Sequence, residues 1–213
     1  MIPVLGNLPR KLILACSGGS DSMAVLDFLL RRERKIIVAY FDHGTPMSPI
    51  FLSNVSSFCK NREIELVVGT LTESKEKKTS QEEFWRNQRY SFLKQLSLEK
   101  ECDVITCHHL DDQVETWIAT SCHGKPRLIP YRREMFIRPF LLTRKKQLKV
   151  WCEDNDVPFV EDPSNQDVKI PRNRIRHNLL PEILQVNPGI HKVIRKKTLA
   201  EYDEKCASFN SAG

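Results

Sequence analysis

The sequence lacks several features that would each indicate a particular class of protein. No apolar run approaches the roughly 20 residues needed to cross a membrane, and the first ten residues do not resemble a signal peptide. The seven cysteines are scattered and none are spaced C-x-x-C, so we expect no disulfide framework, zinc ribbon or metal-cluster pair. These absences favour a cytoplasmic protein with reduced thiols and no membrane partner.

The composition is that of a globular protein with a moderately basic charge. Of 213 residues 40% are hydrophobic, which is enough for one large α/β domain or one domain with a small appendage. The net charge of +6 permits a polyanionic partner without requiring one, and the positive charge is concentrated late in the chain.

Short apolar runs alternate with longer amphipathic stretches along the first two thirds of the chain. We predict strands at 12–15, 36–41, 64–68 and 104–107, with helices at 23–32, 50–61, 81–98 and 111–121. Further helices are predicted at 143–155, 170–184 and 190–205, with a break at 187–189. Segments 73–79 and 124–133 are predicted loops, the first a solvated loop or mobile flap, and 208–213 a frayed end.

This alternation predicts an α/β fold with a doubly wound, mainly parallel sheet and a short helical C-terminal extension. We place the core at 1–142 and the helical, basic extension that completes the catalytic domain at 143–213. Each motif described below follows a predicted strand or lies on a helix beside one, as expected for ligands bound at the carboxyl ends of parallel strands.

A loop rich in serine and glycine follows the first predicted strand and opens the first helix. Its residues are Ser17, Gly18, Gly19, Ser20, Asp21 and Ser22. A strand–turn–helix of this kind presents backbone N–H groups to an anion, and glycines allow close approach. Asp21 fits such a site if a divalent cation bridges it to phosphates, or if it caps the helix. The loop has no Gly-Lys-Ser/Thr end, so its own sequence supplies no lysine for the outer phosphates.

Two further motifs lie beside this loop in the predicted sheet. Asp42 and His43, followed by a glycine, end the second strand, where the base or ribose of a nucleotide would lie. On the long helix, Arg86 shares one face with Arg89 and Tyr90, where Glu82 could pair with it. The alternatives are a plain turn for the first motif and a salt-bridged surface helix for the second.

Histidines and carboxylates cluster at the end of the fourth predicted strand. Asp111, Asp112 and Glu115 lie on one side of the following helix, and His109 precedes them. Clustered carboxylates near a nucleotide anion favour Mg²⁺, with Asp112 as the preferred ligand and His109 as a phosphate donor. A zinc site at 107–111 is disfavoured because adjacent residues cannot all converge on one ion.

The last third of the chain is basic. Arg172 and Arg176 share a helix face, with Arg174 between them, and guanidiniums of this kind suit the phosphates of ATP or RNA. A second group, named here the C-terminal basic cluster, consists of Lys192, Arg195, Lys196 and Lys197. For this cluster a solvated face is the alternative.

Taken in order, these motifs resemble one known family over about residues 11–188. Ser-Gly-Gly-x-Asp-Ser resembles the pyrophosphate loop of N-type ATP pyrophosphatases, which have an adenine nucleotide alpha hydrolase-like, Rossmann-like fold. His-His-x-Asp-Asp-Gln-x-Glu-Thr, Asp-Pro-Ser-Asn and Arg-Asn-x-Ile-Arg resemble the catalytic domain of the tRNA(Ile)-lysidine synthases within that group. Three departures stand out: Trp85 replaces a small residue, Asp-His-Gly is not followed by Leu-Arg, and there is no counterpart of the usual extra C-terminal domains.

The resemblance implies an enzyme that uses ATP and Mg²⁺ to join free L-lysine to carbon-2 of the wobble cytidine of tRNA(Ile), releasing AMP and pyrophosphate. As catalytic residues it implies Asp21, Asp112, Glu115 and Arg176. As nucleotide-binding residues it implies Ser17, Gly18, Gly19, Ser20, Asp21, Ser22, Asp42, His43 and His109. As metal ligands it implies Asp21 and Asp112. As tRNA or substrate residues it implies Arg86, Arg89, Tyr90, Asp111, Arg172, Arg174 and Arg176.

Several expectations remain open at this stage. We expect either Glu115 or Asp111 to take the proton of the attacking lysine amine. We expect contact with the anticodon stem–loop of tRNA(Ile), and either a monomer or a homodimer. The alternatives are a tRNA 2-thiolation or other adenylating enzyme of the same superfamily, disfavoured by the missing C-x-x-C, and an idle ATP- or tRNA-binding protein, disfavoured by the intact carboxylates.

Overall fold

A parallel sheet with helices on both faces forms the centre of the molecule. The computed structural model describes residues 2–73 and 80–210, with side chains up to residue 207. Within these residues six strands form one sheet of order β3-β2-β1-β4-β6-β5. The strands are β1 Lys11–Ala15, β2 Lys35–Asp42, β3 Glu65–Thr70, β4 Val104–Thr106, β5 Arg132–Arg133 and β6 Phe136–Ile137. All pairings are parallel except that of β5 with β6.

Helices connect the parallel strands and form the C-terminal third. They are α1 Ser20–Leu30, α2 Ser48–Lys60, α3 Gln81–Lys100, α4 Leu110–Ser121, α5 Lys145–Asp154, α6 Pro171–Arg174, α7 Leu180–Val186 and α8 Ile190–Asn210. A 3₁₀ turn covers Pro163–Gln166, and a π-helical turn, Ile175–Leu179, joins α6 to α7. No helix in the described part of the chain is both long and apolar enough to cross a membrane.

The sheet buries apolar side chains on both faces, which is why β1 is continuously apolar instead of alternating. Leu12 and Leu14 of β1 are fully buried against α1, in one cluster that also contains Phe28. Ile13 points to the other face and packs in a cluster with Leu93 of α3. The central strand is thereby fixed between two layers of helices, and its carboxyl end opens at the loop of residues 17–19.

The C-terminal helices pack on the helices of the sheet. Trp151 of α5 contacts Phe28 of α1 edge to face, with ring centroids 5.5 Å apart, and its indole N–H donates to Asp27 at 2.9 Å. Ile194 of α8 lies in a buried cluster with Val114 of α4. Residues on either side of the predicted boundary at 142 therefore share buried contacts, while the division itself stays a prediction.

The predicted α/β fold with a mainly parallel sheet is confirmed, with small differences in detail. Segment 124–133 contains β5 at its end, and the two-residue strand β6 was not predicted because two residues carry no periodicity. The helix predicted at 170–184 is interrupted by the π turn. The break at 187–189 is confirmed, whereas the backbone of α8 continues to Asn210. Most of the predicted loop at 73–79 and the last three residues lie outside the described residues.

Candidate active site

The loop after β1 is closed by one of its own serines. The Ser22 hydroxyl accepts the backbone N–H groups of Ser17 and Gly18, each at 3.1 Å, and donates to the carbonyl of Gly19 at 3.1 Å. Gly18 has φ +84, a conformation that L side chains rarely adopt, and an added Cβ would lie 3.1 Å from Phe51. Ser22 is buried and thus fixes the loop, while the first-turn N–H groups of α1 face outward without helical carbonyl partners.

A buried histidine joins this loop to the fourth motif. His109 is 2% exposed, and its Nε2 lies 3.5 Å from Oδ2 of Asp21. Its Nδ1 accepts the backbone N–H of Asp112 at 3.3 Å, and Oδ2 of Asp112 accepts the N–H of His109 at 2.9 Å, which is a capping box for α4. Burial lowers the pKa of His109, but the carboxylates of Asp112 and Asp21 outweigh it and the net shift is upward. Asp21 and Asp112, 91 positions apart in sequence, thus share one histidine.

Two arginines bind the carboxylate of Glu115 on α4. Arg172 donates from Nη2 to Oδ1 of Asp112 at 2.6 Å and from Nε to Oε2 of Glu115 at 2.8 Å. Arg176 donates from Nε to Oε1 of Glu115 at 2.7 Å and from Nη2 to Oε2 at 3.1 Å. Glu115 is 2% exposed and accepts three charge-assisted hydrogen bonds. Arg172, Arg176 and Glu115 are together named the arginine clamp. Arg174 is exposed and does not join it.

A second contact explains where the clamp is held. The side-chain amide of Asn173 donates to the carbonyls of Ser164 at 2.8 Å and Asp167 at 3.0 Å. Asp162 accepts the N–H of Ser164 at 2.8 Å, which forms a turn at 162–165. The turn is therefore tied to α6, which carries Arg172.

Asp111 lies 3.8 Å from Nδ1 of His109 and also holds the start of α5. One of its oxygens accepts the N–H of Lys145 at 2.7 Å, and the guanidinium of Arg144 lies 3.2 Å away. His191 of α8 lies 3.3 Å from its other oxygen. Burial raises the pKa of Asp111, but the hydrogen bonds from His191 and Lys145 more than reverse this, and the net shift is downward. Asp111 thus links three helices.

The second and third motifs meet at the end of β2. Asp42 accepts the N–H of Gly44 at 2.7 Å, which forms a tight turn. The His43 ring lies between Phe41 and Trp85, with centroid distances of 5.0 and 5.4 Å, and its Nδ1 is buried without a partner. Burial, and then the charge of Arg89, lower the pKa of His43 to about 4. The bulky side chain of Trp85 is therefore accommodated by contact with this histidine.

The arginines of α3 contact an aromatic ring instead of a carboxylate. Arg86 lies 4.7 Å from the ring centroid of Tyr90 and Arg89 lies 5.8 Å from it. The expected ion pair between Glu82 and Arg86 is not formed. Tyr90 packs on Phe136 with centroids 4.8 Å apart, so its ring packs against the core.

Sequence reasoning missed three side chains that reach this site. Lys145 has its Nζ 3.6 Å from Oδ2 of Asp21, while Arg144 and His191 contact Asp111. None of them belongs to a sequence motif that indicates contact with the loop, and Lys145 lies 124 positions after Asp21. Only the packing of α5 against α1 brings this lysine to the loop.

The donor set can be tested for a divalent cation. Oδ1 of Asp21 is buried without a hydrogen-bond partner, which fits a carboxylate oxygen that binds a cation. Asp112 already accepts from Arg172 and from the N–H of His109, although each of its oxygens keeps a second lone pair. Within residues 2–73 and 80–210 no group of three or more His, Cys, Asp or Glu side chains is placed to hold a metal ion. The residues fit a cation that takes one or two protein oxygens and fills its remaining positions from a phosphate substrate.

Comparison with known proteins identifies the family. The sequence profile of the PP-loop domain family matches residues 5–183. The chain belongs to the PP-loop family. The loop of residues 17–22 lies within the matched domain, and its role as the pyrophosphate loop stays a prediction.

The curated relatives of this PP-loop protein include tRNA(Ile)-lysidine synthases. It is 33% identical to that of Parasynechococcus marenigrum over 91% of the chain and 62% of the relative. It is 30% identical to those of Lactiplantibacillus plantarum and Bacillus subtilis, over 95% and 89% of the chain but 47% and 44% of the relatives. The chain spans about half the length of the curated relatives it matches.

Solved structures agree on the fold. A U34-tRNA thiolase from Methanococcus maripaludis, solved with its iron–sulfur cluster, has a TM-score of 0.71 at 16% identity, covering 91% of this chain and 72% of the thiolase. An ammonia-dependent NAD synthetase from Campylobacter jejuni has a TM-score of 0.52 at 14% identity, covering 92% and 87%. At these identities the likeness concerns the fold alone.

Proposed function

We propose that this chain carries the chemistry of a tRNA(Ile)-lysidine synthase. It would adenylate the 2-oxygen of the wobble cytidine with ATP and release pyrophosphate. The ε-amine of free lysine would then attack carbon-2 and release AMP. The names of the curated relatives support this reading at 27–33% identity. The observation that carries it is the buried His109 joining Asp21 of the pyrophosphate loop to Asp112 of α4.

Binding of ATP would use the loop and the start of α1. The outward first-turn N–H groups of α1 and the hydroxyls of Ser17 and Ser20 would face the phosphates, while Ser22 keeps the loop closed. Asp21, with Asp112 beside it, would hold Mg²⁺, which when bound supplies positive charge against the phosphate oxygens. His109 would keep both carboxylates in place.

The arginine clamp would act on the groups that react. Glu115 already accepts three hydrogen bonds from guanidiniums, and Asp111 is held by Arg144, Lys145 and His191. A carboxylate surrounded by cations is a weak proton acceptor, because cations stabilise its ionised form. We therefore propose that Glu115 orients Arg176 and Arg172 toward the substrate phosphates, and that proton uptake from lysine occurs elsewhere.

Contact with tRNA(Ile) is proposed for the surface around this cleft. The target cytidine must leave its stack to reach the loop, as is common in single-stranded RNA recognition. Arg86 and Arg174 are both exposed. All four members of the C-terminal basic cluster are exposed on α8, and none forms an ion pair with a described carboxylate. Nζ of Lys197 lies 5.0 Å from the ring centroid of Trp117. Exposed cations without a carboxylate partner would be available for the phosphates of an anticodon stem–loop.

The thiolation alternative is less well supported by the cysteines. Cys16 precedes the loop, Cys107 contacts the carbonyl of Ala15, and Cys152 contacts that of Ser20. Burial raises the pKa of all three thiols. A sulfur-transfer enzyme needs a reactive thiolate or a cluster, and buried thiols with a raised pKa do not provide the former. The likeness to a thiolase concerns the fold only.

The experiment that tests the proposal follows the fate of ATP. The chain is incubated with ATP, Mg²⁺, lysine and a tRNA(Ile) transcript, and the nucleotide products are separated. We expect AMP and pyrophosphate, with formation dependent on the transcript. Formation of ADP, or AMP formation that does not depend on the transcript, would contradict the proposal.

A further inference from the structure

A lysine from a distant helix lies beside the pyrophosphate loop. The loop sequence supplies no lysine of its own, yet Nζ of Lys145 is 3.6 Å from Oδ2 of Asp21. Asp21 is the only carboxylate within 4 Å of this ammonium among the residues that the structure describes. The Lys145 side chain is 37% exposed, so it lies at the mouth of the loop and is open to a ligand from solvent.

The position of Lys145 is fixed by contacts on both sides. Its backbone N–H donates to Asp111 at 2.7 Å, and the preceding Arg144 donates to the same carboxylate. Two turns further along α5, the thiol of Cys152 donates to the carbonyl of Ser20 at 3.4 Å. The start of α5 is thereby held between α4 and the first turn of α1, and the lysine side chain extends over the loop.

The contact with Asp21 does not account for this placement as a stabilising ion pair. At 3.6 Å the two groups are beyond hydrogen-bonding distance, and a half-exposed pair of this kind adds little to stability. Oδ1 of Asp21 has no partner at all. An ammonium and an incompletely paired carboxylate beside a phosphate loop match a site where a polyphosphate and a divalent cation meet.

We propose that Lys145 is a further catalytic residue, which binds the phosphates of ATP and offsets charge on the departing pyrophosphate. The inference rests on the proposed function. In the step concerned, the 2-oxygen of cytidine bonds to the α-phosphorus, and the bond from that phosphorus to the bridging oxygen breaks. The electron pair leaves with pyrophosphate, and no proton moves to or from Lys145. Lys145 thus supplies from another helix the charge that the loop sequence lacks.

The test compares Lys145→Met and Lys145→Arg with Lys146→Met. Lys146 is the exposed neighbour of Lys145, and Lys146→Met removes the same charge from the same helix turn. Equilibrium dissociation constants are measured for ATP, inorganic pyrophosphate and AMP, together with single-turnover AMP formation and the melting temperature. For Lys145→Met we expect affinity for ATP and pyrophosphate to fall about tenfold and the AMP-forming rate to fall about a hundredfold. AMP affinity should be unchanged, Lys145→Arg should recover part of the loss, and Lys146→Met should match the unmodified protein.

The measurements distinguish a failure of this inference from a failure of the proposed function. Unchanged pyrophosphate affinity and an unchanged rate in Lys145→Met would reduce the contact to a surface ion pair and overturn the inference. If the unmodified protein forms no AMP, the proposed function fails, and the pyrophosphate affinities still decide whether Lys145 binds phosphate. If Lys145→Met melts at a much lower temperature, Lys145→Arg decides. Wild-type melting with part or all of the pyrophosphate affinity and rate recovered supports the inference, and wild-type melting with the full loss of both overturns it.

Discussion

Replacement of Glu115 by glutamine separates a clamp from a proton acceptor. Glu115 is 2% exposed and accepts three hydrogen bonds from two guanidiniums. Breaking a buried ion pair by removing one partner costs about 3–5 kcal/mol. Arg172 retains Asp112 and is 41% exposed, while Arg176 is 21% exposed, so solvent screens part of this cost. We expect Glu115→Gln to lower the free energy of unfolding by about 2–3 kcal/mol, just below that range because of the solvent screening.

For a chain of this size that loss corresponds to a melting temperature about 5–10 °C lower. Urea unfolding followed by circular dichroism measures it, with an unchanged m-value as the sign that only stability has changed. Glu161→Gln is the matched control, because Glu161 pairs with Lys149 at 2.7 Å but is 67% exposed. That variant should lose less than about 1 kcal/mol. Full stability of Glu115→Gln together with a lost chemical step would refute the clamp and restore Glu115 as the proton acceptor.

Three other predictions concern the loop, the histidine of β2 and the C-terminal basic cluster. Ser22→Ala leaves two loop N–H groups without their acceptor and should cost about 2 kcal/mol in urea unfolding, whereas Ser20→Ala should cost little. The pKa of His43 is about 4, below its unfolded value, so the unfolded chain binds the extra proton and stability should fall as pH drops from about 6.5 toward 4. Burial also lowers the pKa of His108, to about 3, so His43→Asn should remove only part of that fall, and His123→Asn should leave it unchanged. Neutralising all four residues of the C-terminal basic cluster should weaken tRNA binding without changing ATP affinity. The slope of log binding constant against log salt concentration should fall by roughly 0.7–0.9 for each lost contact. An unaltered slope would make the cluster a solvated face.

Local pattern was sufficient to predict the sheet and most helices. The apolar run of β1 and the amphipathic period of α3 each reflect burial against neighbouring layers. Burial of consecutive or regularly spaced residues gives a hydrophobic pattern that the sequence shows directly. The two-residue strand β6 is too short to show such a pattern, and backbone pairing with β4 and β5 holds it in the sheet. The π turn at Ile175–Leu179 is likewise invisible in the sequence, since it depends on how α6 and α7 meet.

The site was predictable where each motif carries its own chemistry. The loop of residues 17–22 and the carboxylates of α4 were identified because residue type and spacing point to phosphate and cation binding. The partners of those carboxylates were not. Asp111 was taken as a substrate residue, and its contacts to α5 and α8 depend on tertiary packing. Lys145 was missed for the same reason, since nothing near it in sequence points toward Asp21.

The measurement that tests the central claim most directly is transfer of lysine to RNA. The chain is incubated with radiolabelled lysine, ATP, Mg²⁺ and a tRNA(Ile) transcript, alongside a transcript in which uridine replaces the wobble cytidine. We expect ATP-dependent label in the first transcript, located at the wobble position, and none in the second. Equal label in both transcripts, or no label under conditions in which the chain binds both ATP and the transcript, would contradict the account.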